Sequence, residues 1–201
     1  VERLRFILAD SEGEALICES ALTALASSIG AQRDVPVFDP SAISPAGRCA
    51  AQRDPRTPTY ILYTSGTTGQ PKGVVQIDRN VLHFIATYTN ALHLSAGDRL
   101  TLFSSYGFDA SVMDIYGALL NGASLHVLDL REAGFTRIHE WLHRHQITVW
   151  HSTPTVFRLG ASGLHARKAP SPRLVVPGGR GATPADLDLL RVVRDVRRPP
   201  R

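Results

Sequence analysis

The chain has 201 residues and a formal net charge of +4, and that excess sits in its last eleven positions. Residues 191–201 hold five arginines against one aspartate, while the preceding 190 residues balance 17 basic against 17 acidic side chains. A nucleic-acid footprint is a basic patch on a folded face, so this charge argues against nucleic acid, and no apolar run reaches the roughly 20 residues of a membrane span.

In chain order, a helical pattern covers 2–9, with neither an initiator methionine nor a basic-then-apolar leader before it, as expected of a piece of a longer polypeptide. Strands are predicted at 14–18, 35–38, 60–64, 100–103, 124–128, 148–152 and 174–176, where β-branched and apolar residues cluster. Amphipathic helices are predicted at 22–29, 79–92, 110–120, 135–145 and 184–193. The last has a start signal in Thr183-Pro184-Ala185-Asp186: a capping hydroxyl, a proline at the first helical position and an acid two residues on. This alternation implies crossover units, hence an α/β fold with mainly parallel sheets and helices on both faces. One domain is read over 1–190, with a Pro/Ser/Ala/Arg-rich linker at 40–58. The Arg/Pro-rich tail, 191–201, is expected to be disordered. Cys18 and Cys49 lie far apart without a C-x-x-C, which fits a reduced cytoplasmic compartment and no disulfide or metal role.

The run 60–75 carries the most chemistry. After a strand ending at Thr64 come four hydroxyls (Thr64, Ser65, Thr67, Thr68), three glycines (Gly66, Gly69, Gly73) and Lys72. Glycines at positive φ let successive amides converge on an anion, hydroxyls add donors, and lysine adds a mobile cation. In a parallel sheet such a loop would sit at the carboxyl end of its strand, where ligands bind. It differs from the loop of ordinary NTPases, because Lys72 is followed by Gly73 and Val74 and not by the Ser/Thr that holds magnesium.

Tyr63 to Gly73 instead resembles the signature loop of the acyl-adenylate-forming, AMP-binding superfamily, which includes amino-acid adenylation domains of nonribosomal peptide synthetases. The resemblance covers most of residues 2–190 and implies a portion of the large N-terminal domain of that fold. It implies nucleotide contacts from Thr64, Ser65, Gly66, Thr67, Thr68, Gly69 and Lys72, with Lys72, Thr67 and Thr68 holding the departing pyrophosphate. Tyr106-Gly107-Phe108-Asp109-Ala110-Ser111-Val112-Met113 matches the Phe-Asp-x-Ser motif of amino-acid adenylation domains. On residue type alone Asp109 is a helix N-cap. The resemblance makes it the partner of the substrate α-ammonium, with Phe108, Ala110 and Met113 lining the pocket.

By the same correspondence His151, in Thr148-Val149-Trp150-His151-Ser152-Thr153-Pro154-Thr155, is a pocket wall, as are Val176 and Gly178. Gly179, Arg180 and Gly181 border the nucleotide, with Arg180 where the family has glutamate. The implied activity is ATP- and Mg2+-dependent activation of a carboxylic acid, in particular an α-amino acid, for loading onto the phosphopantetheine thiol of a carrier-protein domain. The family's main magnesium ligand, its ribose-binding aspartate and its C-terminal catalytic lysine have no counterpart here. The isolated chain is therefore expected to be a catalytically inactive fragment that at most binds nucleotide. A rival motif, His139-Glu140-Trp141-Leu142-His143, has zinc-peptidase spacing. Ile138, Trp141 and Leu142 already form a core stripe, and no glutamate follows Glu140 as third ligand, so no metal site is assigned.

Overall fold

The computed structural model describes residues 1–43, 52–65, 70–161, 172–179 and 181–195, the last five as backbone alone. It divides into two compact units, Val1–Val81 and Leu82–Arg201. In the first, helix α1 (Glu2–Asp10) precedes a small crossover: β1 (Leu16–Ile17), α2 (Thr23–Gly30) and β2 (Val37–Phe38). The two strands pair in parallel, Leu16 opposite Val37. Leu8, Ala26 and Ile29 are buried; Arg5 of α1 donates to the carbonyl of Ser28 in α2, and Arg33, just beyond α2, donates to that of Ala9 in α1. The stretch read as a linker holds a single 3-10 turn, Pro40–Ala42, with Asp39 accepting from the amide of Ser41; residues 44–51 lie outside the described set.

The strand expected to carry the phosphate loop departs from the parallel-sheet expectation. Among the described residues strand β3 (Pro58–Ser65) joins no parallel sheet; it pairs antiparallel with β4 (Pro71–Ile77), Thr64 opposite Lys72 and Ser65 opposite Pro71. Residues 66–69 lie between the two strands in the chain, outside the described set. β4 escaped the sequence reading because Gly73 was counted as a loop residue needing positive φ. Its φ is ordinary; what demands glycine is proximity, since a Cβ there would sit 3.0 Å from Ile61 Cγ2 and Tyr63 Cζ. Tyr63 turns its ring edge to Phe6 and donates its hydroxyl to Asp10 of α1 at 2.7 Å. That bond to a carboxylate is the main reason its phenol is pushed up. Helix α3 (Asp78–Leu92) follows; its first-turn acid, Asp78, accepts from Arg53 and Thr59.

The second unit is a four-stranded parallel sheet in the order β6-β5-β7-β8, formed by β5 (Arg99–Leu102), β6 (Ser124–Val127), β7 (Val149–Ser152) and β8 (Leu174–Pro177). Helix α4 (Ala110–Leu119) links β5 to β6. Between β6 and β7 lie a short α5 (Leu130–Ala133), a 3-10 turn (Phe135–Arg137) and α6 (Ile138–Arg144). Helix α7 (Pro154–Ala161), absent from the expectations, follows β7, and α8 (Pro184–Asp195) follows β8. Because α8 runs to Asp195, the first five residues of the Arg/Pro-rich tail are helical, and 196–201 are outside the described set.

Strand period two sends neighbouring residues of β7 to opposite faces. Val149 joins Leu94, Leu100, Ala118 and Ala123 in the core under α4, while Trp150 joins Ile138, Leu142, Ile147, Phe157 and Ala161 under α6 and α7. Gly160 of α7 lies against that second core: a Cβ would fall 3.0 Å from Trp150 Cη2 and Ile138 Cγ2. Interiors are too densely packed to absorb this, so Gly160→Ala is expected to cost about 1–3 kcal/mol in a urea titration of the chain. An unchanged midpoint would show that α7 can shift.

A polar knot closes the opposite end of the sheet. Asp98, buried before β5, accepts from Ser95 N, Thr148 Oγ1 and both Nε and an Nη of Arg173, at 2.6–2.9 Å. Arg173 also donates to the carbonyls of Leu92 and His93, satisfying the end of α3.

Candidate functional site

Thr64, Ser65 and Lys72 are exposed at the paired ends of β3 and β4. Among the described residues the Lys72 ammonium has no ion-pair partner. Gly66, Thr67, Thr68 and Gly69 lie outside the described residues, so the arrangement of their donors is not part of the structure.

In the second unit, the loop after β5 delivers Phe108 and Asp109 to the head of α4. Phe108 is exposed, and its carbonyl accepts from the buried Ser111 hydroxyl at 2.7 Å. Asp109 occupies the N-cap position with helical φ and ψ, yet its side chain makes no capping hydrogen bond. A capping carboxylate would engage the amide two or three residues on. That role is empty, and the exposed carboxylate is free of described partners. Ala110 and Met113 follow on α4, half-buried.

His151 is set deep in the sheet. Only 4% exposed, it lies in β7 with Val176 of β8 as its register partner. Its Nδ1 lies 2.9 and 3.0 Å from the two carboxylate oxygens of Asp114, a fully buried residue of α4. Thr101 locks the strand from the other side, its hydroxyl donating to the His151 carbonyl and accepting from the His151 amide. Burial holds the Asp114 carboxyl above the usual carboxylate range, and His151 opposes that. Burial also raises the Tyr88 phenol, helped by the charge of Asp114; the Tyr88 hydroxyl is sealed in with no hydrogen-bond partner among the described residues.

The opposite ring nitrogen, Nε2, faces Gly178. A Cβ built there would stand 2.6 Å from it, so the position must be bare. Asp114 was missed in the sequence although it follows Met113 directly. The signal was present: an acid inside an otherwise apolar helix, where charge is seldom buried unless paired.

Beyond β8 the chain turns through Gly179 at φ +99° and Gly181 at φ +96°, a conformation that favours glycine. Arg180, between them, lies outside the described residues. The Gly181 carbonyl accepts from Arg158, whose guanidinium is bidentate to Asp186 at 2.6 and 2.8 Å. Asp186 accepts from the Thr183 amide at 2.7 Å, completing the start signal of α8, and Arg158 holds its carboxyl well below the ordinary range. The bend carrying Gly179 and Gly181 is thus tethered to α7 and α8.

For the zinc-like motif, α6 points Ile138 and Leu142 into the core and leaves Glu140 and His143 outward. Among the described residues no three or more His, Cys, Asp or Glu gather around a common point. Nor is any described helix long and apolar enough to cross a membrane.

A parallel four-stranded sheet with helices packed on it matches the N-terminal part of the adenylate-forming fold. Residues 1–199 match the AMP-binding enzyme family, and the chain belongs to it. Tyrocidine synthase 1 of Brevibacillus parabrevis is 29% identical over 90% of this chain, and syringomycin synthase SyrB1 of Pseudomonas syringae pv. syringae is 36% identical over 92%. The chain spans only 17% and 30% of those two proteins. A nonribosomal peptide synthetase, FmoA3, in its AMPPNP-bound form superposes with a TM-score of 0.79 at 26% identity, over 95% of this chain and 21% of the other.

Proposed function

We propose that this chain takes part in the ATP-dependent activation of an α-amino acid as an aminoacyl-adenylate, for transfer to the phosphopantetheine thiol of a carrier-protein domain. The observation that carries the reading is Asp109: a carboxylate at the head of α4, in a family that activates acids, without the capping bond that would explain it structurally. Its charge would hold the substrate α-ammonium. Phe108, Ala110, Met113, Val176 and Gly178 would surround the side chain.

Thr64, Ser65 and Lys72, with Gly66, Thr67, Thr68 and Gly69, would grip the nucleotide phosphates. Gly179, Arg180 and Gly181 would border its base. The AMPPNP-bound state of FmoA3 supports a nucleotide ligand. Acyl transfer to the α-phosphorus needs the carboxylate held in line and the departing pyrophosphate neutralised, and Lys72 with the Thr67 and Thr68 hydroxyls would supply the second task. The described residues gather no carboxylate cluster fit for magnesium, so no step is assigned to the ion.

The test is Asp109→Ala in a polypeptide that contains this chain and supports acid-dependent ATP–pyrophosphate exchange. A hydrogen bond to a charged group contributes about 1.5–3 kcal/mol, so KM for the amino acid should rise roughly 10–150-fold. The same acid lacking its α-amine should be activated equally by both forms. An equal loss for the two acids would remove Asp109 from the ammonium site.

A further inference from the structure

The strongest unassigned feature lies in the second unit alone: a buried imidazole fixed by a buried carboxylate, with one nitrogen left open. Asp114 binds Nδ1 through both oxygens, which fixes the ring and leaves Nε2 as its only free polar atom. Among the described residues nothing hydrogen-bonds to Nε2. The three atoms closest to a Cβ built on Gly178 all belong to the His151 ring, so any residue larger than glycine would cap this nitrogen. Half-buried apolar residues, Met113 on α4 and Val176 on β8, belong to the same elements.

From this geometry we infer that the His151–Asp114 pair selects an acid whose side chain ends in a hydroxyl, which hydrogen-bonds to His151 Nε2. The inference rests on the acid-activating site proposed above. Asp114 is a positioning residue, and His151 is the group that touches the substrate.

The choice of a hydroxyl follows from charge and valence. Burial favours a net-neutral pair, whether the shared proton lies on Nδ1 or on the carboxyl, and in both forms Nε2 keeps its hydrogen. Loss of that proton would make Nε2 an acceptor. A hydroxyl oxygen serves either state with one atom, donating or accepting. A side-chain carboxylate would bring a further negative charge to a site that already holds Asp114 and Asp109. A side-chain amide would meet Nε2 with one end and leave the other unpaired. An aliphatic side chain would leave Nε2 buried and unsatisfied, which is the basis of strong discrimination by polar pockets.

Matched acids test this by calorimetric titration of a polypeptide that contains this chain and supports acid-dependent ATP–pyrophosphate exchange: serine with alanine, threonine with valine, tyrosine with phenylalanine, 4-hydroxybenzoate with benzoate, and aspartate separately. One hydroxyl-bearing acid should bind at least tenfold more tightly than its partner lacking the hydroxyl. Asp114→Asn should erase that preference while leaving the affinity of the partner acid unchanged. A merely structural Asp114 would weaken both acids alike. Should Asp114→Asn fail to fold, ¹⁵N spectra of the wild-type imidazole decide the point: Nε2 should shift with the hydroxyl acid and stay fixed with its partner. Tight binding without a hydroxyl preference, tightest binding of aspartate, or an unmoved Nε2 overturns this inference and leaves the acid site standing. Binding of no acid at all overturns both.

Discussion

Asp98→Ala is expected to lower the stability of the chain by about 2–4 kcal/mol. Removing one member of a sealed ion pair costs roughly 3–5 kcal/mol, and the lower figure allows for Arg173 being about one-third exposed. The mutation strands the Ser95 amide, the Thr148 hydroxyl and the Arg173 guanidinium at once. Against a typical domain stability of about 5–15 kcal/mol, that loss is large. A urea titration would show it as an earlier midpoint, and an unchanged midpoint would mean that water replaces the carboxylate without cost.

The same residue sets a pH dependence. Arg173, and to a lesser degree Thr148 and Ser95, hold the Asp98 carboxyl well below the ordinary carboxylate value. A folded-state pKa below the unfolded one means that the unfolded chain binds protons first on acidification. The contribution of Asp98 is therefore complete above the ordinary carboxylate range, near pH 4, and declines as pH falls through that range toward the folded value. Asp186, lowered by Arg158, acts in the same direction. Acid unfolding of Asp98→Ala should be flatter below pH 4 than that of the wild type.

In a polypeptide that contains this chain and supports acid-dependent ATP–pyrophosphate exchange, Lys72→Ala is expected to reduce kcat/KM by roughly 10²–10³, the usual loss when one preorganised donor to developing charge is removed. Lys72 is exposed and unpaired among the described residues, so the fold should be untouched and the far-UV spectrum unchanged. Thr64 and Ser65 would still offer hydroxyls, which is why a residual rate is expected. A loss below threefold would place the pyrophosphate elsewhere.

Most elements of the second unit were legible because their signals are local: β-branched runs for β5 to β8, and a complete start signal at Thr183 to Asp186. The hairpin partner β4 was not, because glycine and proline at its start read as loop punctuation. Gly73 is there to let Ile61 and Tyr63 approach, a pairing ten or more residues distant that only tertiary structure reveals. Helix α7 was not read, although a hydroxyl residue, Thr153, and Pro154 stand at its start. For the candidate site, Asp109 and His151 were singled out through their neighbours in sequence. Asp114 was not, since a partnership between α4 and β7 across 37 positions leaves no pattern along the chain.

The long spans tied together at Asp98 also have a kinetic consequence. The hairpin of β3 and β4 closes over a short turn, within reach of microsecond search. The parallel sheet has no such local start: Asp98 must find Thr148 across 50 positions and Arg173 across 75. Loop closure over those distances must come before the contacts that reward it, so contact order makes the sheet unit the slow folder. During synthesis the paired strands β3 and β4 would form early, and the packing around His151 would wait until the strand after residue 172 had emerged.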